Sequence, residues 1–293
     1  MNPLSHILLF FRNFLCPNGL NIFNYKENEM NFSSRFQILK MWTKLLISTV
    51  IFTMFCQISA VHSEPIQTEH FNSSILWKKV EDVKNGSAGC TFREVNASIN
   101  DNGNSLLILK VDEDLVAGYG DPLYSCAEFR SRDRYLYGRY VVRMKAIQGN
   151  GLVSSFFIYT DDPQHDEIDI EILGIDCTKV LFGYHTNGVS TGTQYDYQGP
   201  AGFNACTDFH NYGIEWQPNS IKFSVDGQVV HTAQAPNLVV PLPINPGRII
   251  MNVWVPDPNK PNVVTWAGGQ IFNLIPPFPP PSAEYEWVTY QLW

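Results

Sequence analysis

The sequence predicts an all-β fold, a two-sheet sandwich of the jelly-roll kind, on three observations. Short runs rich in Val, Ile, Phe and Tyr recur from residue 106 to the end. None of them sustains a 3.6-residue apolar period with helix caps. The stretch after residue 63 holds 230 of the 293 residues, the size of one β domain, with no internal repeat and no linker to separate two cores.

The runs 106–111, 138–146, 154–159, 167–173, 180–184, 212–216, 221–225 and 248–253 read as strands, because β-branched and aromatic residues fit a pleated, half-buried surface. Asp226-Gly227 carries the signal of a tight hairpin after 221–225. The proline cluster 276–281 reads as a surface loop before a last strand, 285–293.

Within the run 167–173, three acids alternate with isoleucines. Successive side chains of a strand point to opposite faces, so Glu167, Asp169 and Glu171 share one face while Ile168 and Ile170 enter the core. Like charges so placed repel and raise one another's proton affinity, a poor way to build an ordinary sheet and a good way to hold one carboxyl protonated beside an ionised one. Retaining glycoside hydrolysis is the leading explanation; a cation site and a solvated acidic strand are the alternatives. On a flat strand the Cα atoms of Glu167 and Glu171 would stand about 13 Å apart. Two long Glu side chains leaning together on a curved strand close that gap to the roughly 5 Å that retention needs, with the shorter Asp169 beneath them to orient Glu167.

Residues 1–63 are expected to be a leader. Lys40-Met41-Trp42-Thr43-Lys44 is a cationic start, 45–55 an apolar run, and Val61-His62-Ser63 a small-residue cleavage site, together a secretory signal over 41–63. The run falls short of the roughly 18 apolar residues of a spanning helix, so no stable membrane association is expected. Residues 1–40 show no period and are given no function; Met41 reads as the start. Removing the leader's five cations and two anions from the formal net charge of −8 leaves −11 on the domain 64–293. That charge disfavours nucleic acid and suits a secreted, extracellular monomer acting on a neutral polymer.

Cys90, Cys126, Cys177 and Cys206 remain after the leader, an even number open to three connectivities. No Cys-x-x-Cys or His-rich spacing marks a metal, so no metal ligand is nominated, and His210 and His231 read as surface or hydrogen-bonded histidines. Asn72, Asn85 and Asn96 each begin an Asn-x-Ser sequon, an acceptor for a glycan. Flat aromatic platforms for sugar rings are expected at Phe157 and Tyr159, on one face of their strand, and at Trp254 and Trp266, with Asn252 on the same face as Trp254.

The stretch YLYGRYVVRMKAIQGNGLVSSFFIYTDDPQHDEIDIEILGIDCTKVLFGYHTNG, residues 135–188, resembles the catalytic core of glycoside hydrolase family 16, and most closely its licheninases, endo-1,3-1,4-β-glucanases. The likeness continues through 209–218, 221–227, 250–254 and 283–288. It implies a concanavalin A-like jelly roll with an open cleft, and a covalent glycosyl-enzyme with Glu167 as nucleophile, Asp169 as helper and Glu171 as acid/base. It also implies a Cys90–Cys126 disulfide, which leaves Cys177 with Cys206. By the same resemblance Asn85, Glu128, Arg130, Phe157, Tyr159, Asn252 and Trp254 contact a β-glucan, and Asn85 then stays free of glycan.

Departures from the licheninase pattern bear on specificity. His165 stands where licheninases carry an aromatic, as in xyloglucan-active relatives; Gly183 and His185 replace Asn and Tyr, and Val83 another cleft Tyr. The strand lacks the extra residue of laminarinase-type relatives, Glu-x-Asp-x-x-Glu. No cofactor is required; a structural calcium of the licheninases uses an Asp where this chain has Glu286. A hydrolase is thus weighed against a cell-wall transglycosylase using the same residues and a silent sugar-binding sandwich.

Overall fold

The computed structural model describes residues 66–293 apart from 72–74, 85, 101–104, 119–120, 162, 191–193, 237 and 270–278. The leader, the Asn72 and Asn85 sequons and part of the proline cluster lie outside the described residues.

Nineteen strands form two sheets among the described residues. They begin β1 Gln67–Glu69, β2 Trp77–Lys79, β3 Val83–Lys84, β4 Cys90–Phe92, β5 Ala97–Asn100, β6 Leu106–Lys110 and β7 Asp112–Glu113. The long central strands follow: β8 Tyr124–Ser131, β9 Gly138–Lys145, β10 Val153–Tyr159, β11 Glu167–Leu173 and β12 Lys179–Thr186. Next come β13 Val189–Ser190, β14 Tyr195–Gln198, β15 His210–Gln217, β16 Ser220–Val225, β17 Gln228–Gln234, β18 Arg248–Trp254 and β19 Ser282–Leu292. One sheet runs β17-β16-β15-β9-β19-β6-β5, with β1 also on β19. The other runs β13-β12-β11-β10-β18-β8-β4-β3, with β14 on β12 and β2 and β7 on β8.

The eight predicted strands are present with ends within two residues, and the last begins earlier, at Ser282. A single α-helix, α1 Pro261–Trp266, departs from the all-strand expectation among the described residues; it is too short to show a period and starts with the proline that tolerates a first helical position. The Asp226-Gly227 hairpin forms as expected, with both residues at positive φ (48° and 80°) between the paired ends of β16 and β17.

Alternation builds the core. Tyr140, Val142 and Met144 of β9 and Tyr212, Ile214 and Trp216 of β15 bury one face of the first sheet, and Ile168, Ile170 and Ile172 of β11 with Phe156 and Ile158 of β10 bury one face of the second. Phe182 of β12 stacks on Phe223 of β16 with ring centroids 5.0 Å apart, so these two faces meet. The opposite face of the second sheet is thereby left for the site.

Cys90–Cys126 and Cys177–Cys206 are both disulfides, with Cα separations of 5.9 and 5.6 Å. The first joins the parallel neighbours β4 and β8; the second ties the segment after β11 to the one before β15. Asn96 does not behave as a glycan acceptor. It is 1 % exposed, and its Nδ2 donates to Ser125 Oγ (2.9 Å) and Lys110 O (3.3 Å), so the atom a glycan would use is buried and bonded.

Candidate active site

Strand register assembles the site. Directly opposed residues of an antiparallel pair share a face, so three rows cross the second sheet. Glu128, Asn252, Ser155, Glu171 and Leu181 form one row across β8, β18, β10, β11 and β12. Arg130, Ile250, Phe157, Asp169 and Gly183 form the next. Arg248, Tyr159, Glu167 and His185 form the third. All three acids of the sequence prediction, with Glu128, Arg130, Phe157, Tyr159 and Asn252, therefore lie together, and Trp254 extends the face two residues beyond Asn252 on β18. Asn85 lies outside the described residues. β10 and β11 pair without a register shift from Tyr159–Glu167 to Val153–Leu173, so the strand is unbulged as expected.

The floor of these rows is pinned from the core side. Tyr285 of β19 donates its buried hydroxyl toward the carbonyls of Ser155 (3.2 Å) and Asn252 (3.3 Å). On the site face, Arg130 Nε and Asn252 Oδ1 are buried with no hydrogen-bond partner. Such groups cost about 1–3 kcal/mol each unless something fills them, which marks them for a polar ligand. Glu128 is held at 3.7 Å from Arg130; burial raises its proton affinity, and Arg130 and a hydrogen bond from Asn252 oppose that.

The carboxylates differ in proton affinity. Burial, then the charge of Glu167, pushes the Glu171 carboxyl up to about 7, and a hydrogen bond from Gln194 works the other way. Asp169 is raised well above the usual carboxylate range by burial and by Glu167 and Glu171 on either side, and it hydrogen-bonds Glu167. A proton is thus retained within the cluster near neutrality, as like-charge crowding requires.

Two residues that the sequence reading did not nominate shape the site. Gln194 donates from Nε2 to Glu171 Oε2 (2.8 Å) and accepts at Oε1 from Trp266 Nε1 (2.9 Å). It lies beside Gly183, where a Cβ would stand 3.6 Å from Gln194 Cγ, an ordinary packing distance. Trp266 in turn stacks on Trp254, centroids 5.9 Å apart, so one amide links the acid to the aromatic end of the face. The second residue is Asp166, which period two places on the core side. It is 2 % exposed and accepts from Asn187 N (3.0 Å), Ile244 N (3.0 Å), Asn245 N (3.1 Å) and Asn245 Nδ2 (2.8 Å). Beside it His165 has φ +45°, a left-handed conformation unusual for a non-glycine, and its carbonyl accepts from Gly188 N at 2.9 Å. Asp166 thus fastens the turn that aims His165 at Glu167, 3.6 Å from Nε2 to Oε2.

At the calcium position implied by resemblance, the carboxylate is engaged by an arginine. Glu286 Oε2 accepts from Arg143 Nε at 2.6 Å, and Arg143 also donates to Phe209 O (3.2 Å). A guanidinium already supplies the positive charge, whereas calcium asks for six to eight oxygens.

A jelly-roll sandwich with paired carboxylates, one raised toward neutrality, on the open face of one sheet is the architecture of a glycoside hydrolase. The family model for glycosyl hydrolases family 16 matches residues 85–270, and the chain belongs to that family. It is 40 % identical over 260 residues to a β-glucanase of Paenibacillus polymyxa, covering 86 % of this chain and 97 % of that protein. Among solved structures, a prokaryotic β-1,3-1,4-glucanase (lichenase) from a mouse hindgut metagenome is 36 % identical, with a TM-score of 0.66 over 77 % of this chain and 98 % of the other. Bacillus licheniformis β-glucanase is 39 % identical, with a TM-score of 0.63 over 77 % and 97 %.

Proposed function

We propose that the chain is a secreted retaining endo-β-glucanase that cleaves β-1,4 bonds in mixed-linkage β-1,3-1,4-glucan. The observation that carries this reading is the pair Glu167 and Glu171 on one strand face, with Glu171 holding its proton up to about pH 7. Glu167 attacks the anomeric carbon as the bond from that carbon to the leaving oxygen breaks, and Glu171 gives its proton to that oxygen. Water then attacks the anomeric carbon of the Glu167 ester, Glu171 takes the water's proton, and the Glu167 carboxylate is released. Asp169, bonded to Glu167, orients the nucleophile. Similarity to β-glucanases over most of the chain supports the substrate class, and the two disulfides agree with action outside the cell. Among the described residues no helix is long and apolar enough to cross a membrane.

Mixed-linkage β-glucan is expected to be cleaved faster than laminarin or carboxymethylcellulose in parallel reducing-end assays. Laminarin turned over tenfold faster would remove the licheninase reading. The histidine at position 165, which the resemblance shares with xyloglucan-active relatives, favours a second reading, sugar-to-sugar transfer. Xyloglucan oligosaccharides that accelerate polymer cleavage as acceptors would establish it.

Gln194→Leu tests the acid. Initiation needs Glu171 protonated, so kcat/KM falls as pH rises through about 7. The Gln194 amide favours the ionised form, so its loss is expected to move this limb to higher pH while kcat/KM near pH 6 drops about tenfold through loss of a charge-assisted bond. An unmoved limb would deny Gln194 this contact.

A further inference from the structure

The third row of the site sets beside Glu167 two histidines to which the hydrolytic reading gives no role. His185 of β12 stands directly opposite Glu167 of β11, and register alone puts both side chains on one face. The left-handed turn at His165, fastened by Asp166, brings a second imidazole to the same carboxylate. The two rings lie nearly parallel, 12° between planes with centroids 6.3 Å apart. One donor atom each from His165, Glu167 and His185 falls within 4.8 Å of the others, the only such set of three His, Cys, Asp or Glu among the described residues. Asp169 Oδ2 is 3.8 Å from His185 Nε2 and adds negative charge behind the set.

We infer that His165, Glu167 and His185 form a binding site for a divalent transition cation of the zinc type, and that occupancy shuts the enzyme off. Two imidazoles and one carboxylate are the three-ligand pattern of an open zinc site, with the fourth position left to water. Imidazole nitrogen selects against calcium and magnesium, which take oxygen. Metal–ligand bonds of about 2.0–2.2 Å put tetrahedral ligands about 3.4 Å apart, so the donors, within 4.8 Å of one another, need to close by up to roughly 1.4 Å, within reach of side-chain torsions on a fixed register. The side chains of His165, His185 and Glu167 are 38, 33 and 21 % exposed, open to an ion from solvent. A cation bound to Glu167 holds the lone pair that would attack the anomeric carbon. The inhibitory half of the inference rests on Glu167 being the nucleophile; the binding half does not.

The test is calorimetric titration of the untagged, chelator-stripped full domain with zinc chloride, alongside hydrolysis at the same zinc concentrations. One zinc per chain is expected with a micromolar dissociation constant, and activity should fall with occupancy and return on adding EDTA. His165→Gln and His185→Gln should each weaken zinc binding at least tenfold at an unchanged thermal midpoint, while His210→Gln, in a histidine bonded to Asp226 elsewhere, should bind as wild type. No saturable binding up to about millimolar zinc, or wild-type affinity in both site variants, would overturn the site. Stoichiometric, histidine-dependent binding with undiminished hydrolysis would overturn the inhibitory role and count against Glu167 as nucleophile. Absence of hydrolysis on every glucan would strike the proposed activity and leave the calorimetry readable.

Discussion

Glu167→Ala is expected to lower turnover by about four orders of magnitude or more, the scale on which removal of a nucleophile acts, with the fold intact because its side chain faces the cleft rather than the core. The loss should be partly repaired by azide, which fits the space left by the carboxylate and attacks the anomeric carbon from that side to give an α-glycosyl azide. Glu171→Ala should fail differently. On a substrate with an activated leaving group the glycosyl-enzyme still forms, and azide then replaces water to give a β-glycosyl azide. Asp169→Asn should weaken catalysis without abolishing it, since it removes the carboxyl that shares a proton with Glu167 but neither reacting group. Exchange of the two azide products between the variants would reverse the roles of Glu167 and Glu171.

Asp166→Ala is expected to destabilise the domain by about 3–5 kcal/mol, the cost of removing one member of a buried charge-assisted network. Three backbone N–H groups and the Asn245 amide would lose their acceptor inside the protein. For a domain of this size that is a fall of roughly 10 °C in thermal midpoint. Asp166→Asn should fall between wild type and Ala, because one amide oxygen still serves the Ile244 and Asn245 donors while its NH2 group faces Asn187 N. Both variants should also lose activity below their unfolding range, since the turn at His165 next to Glu167 is no longer held. An Asp166→Ala midpoint within about 2 °C of wild type would show that this carboxylate is not an anchor.

The contrast between these two residues shows what the sequence makes legible. Glu167, Asp169 and Glu171 announce themselves because a strand's two-residue period sorts acids from isoleucines, and the structure keeps that sorting. Asp166 obeys the same period yet hides in it: its donors come from residues 21 to 79 positions away, and nothing local says that a carboxylate on the core side has partners. β8 escapes the pattern for a related reason. Its residues from Tyr124 to Ser131 do not alternate in polarity between faces, because Ser125, Glu128 and Ser131 are buried along with Ala127 and Phe129; Glu128 and Arg130 are reached only through family resemblance. Gln194 leaves no local trace, since its bonds to Glu171 and Trp266 span 23 and 72 residues. His185 opposite Glu167 likewise becomes visible through register alone.

Proton NMR of the newly formed reducing end during the first minutes of β-glucan cleavage tests the double displacement most directly. Attack by Glu167 followed by attack of water inverts the anomeric carbon twice, so the first signal is expected to be the β anomer, with the α anomer growing only through mutarotation. An initial α product would mean one inversion by water, with no glycosyl-enzyme on Glu167, and would contradict the mechanism assigned to this strand.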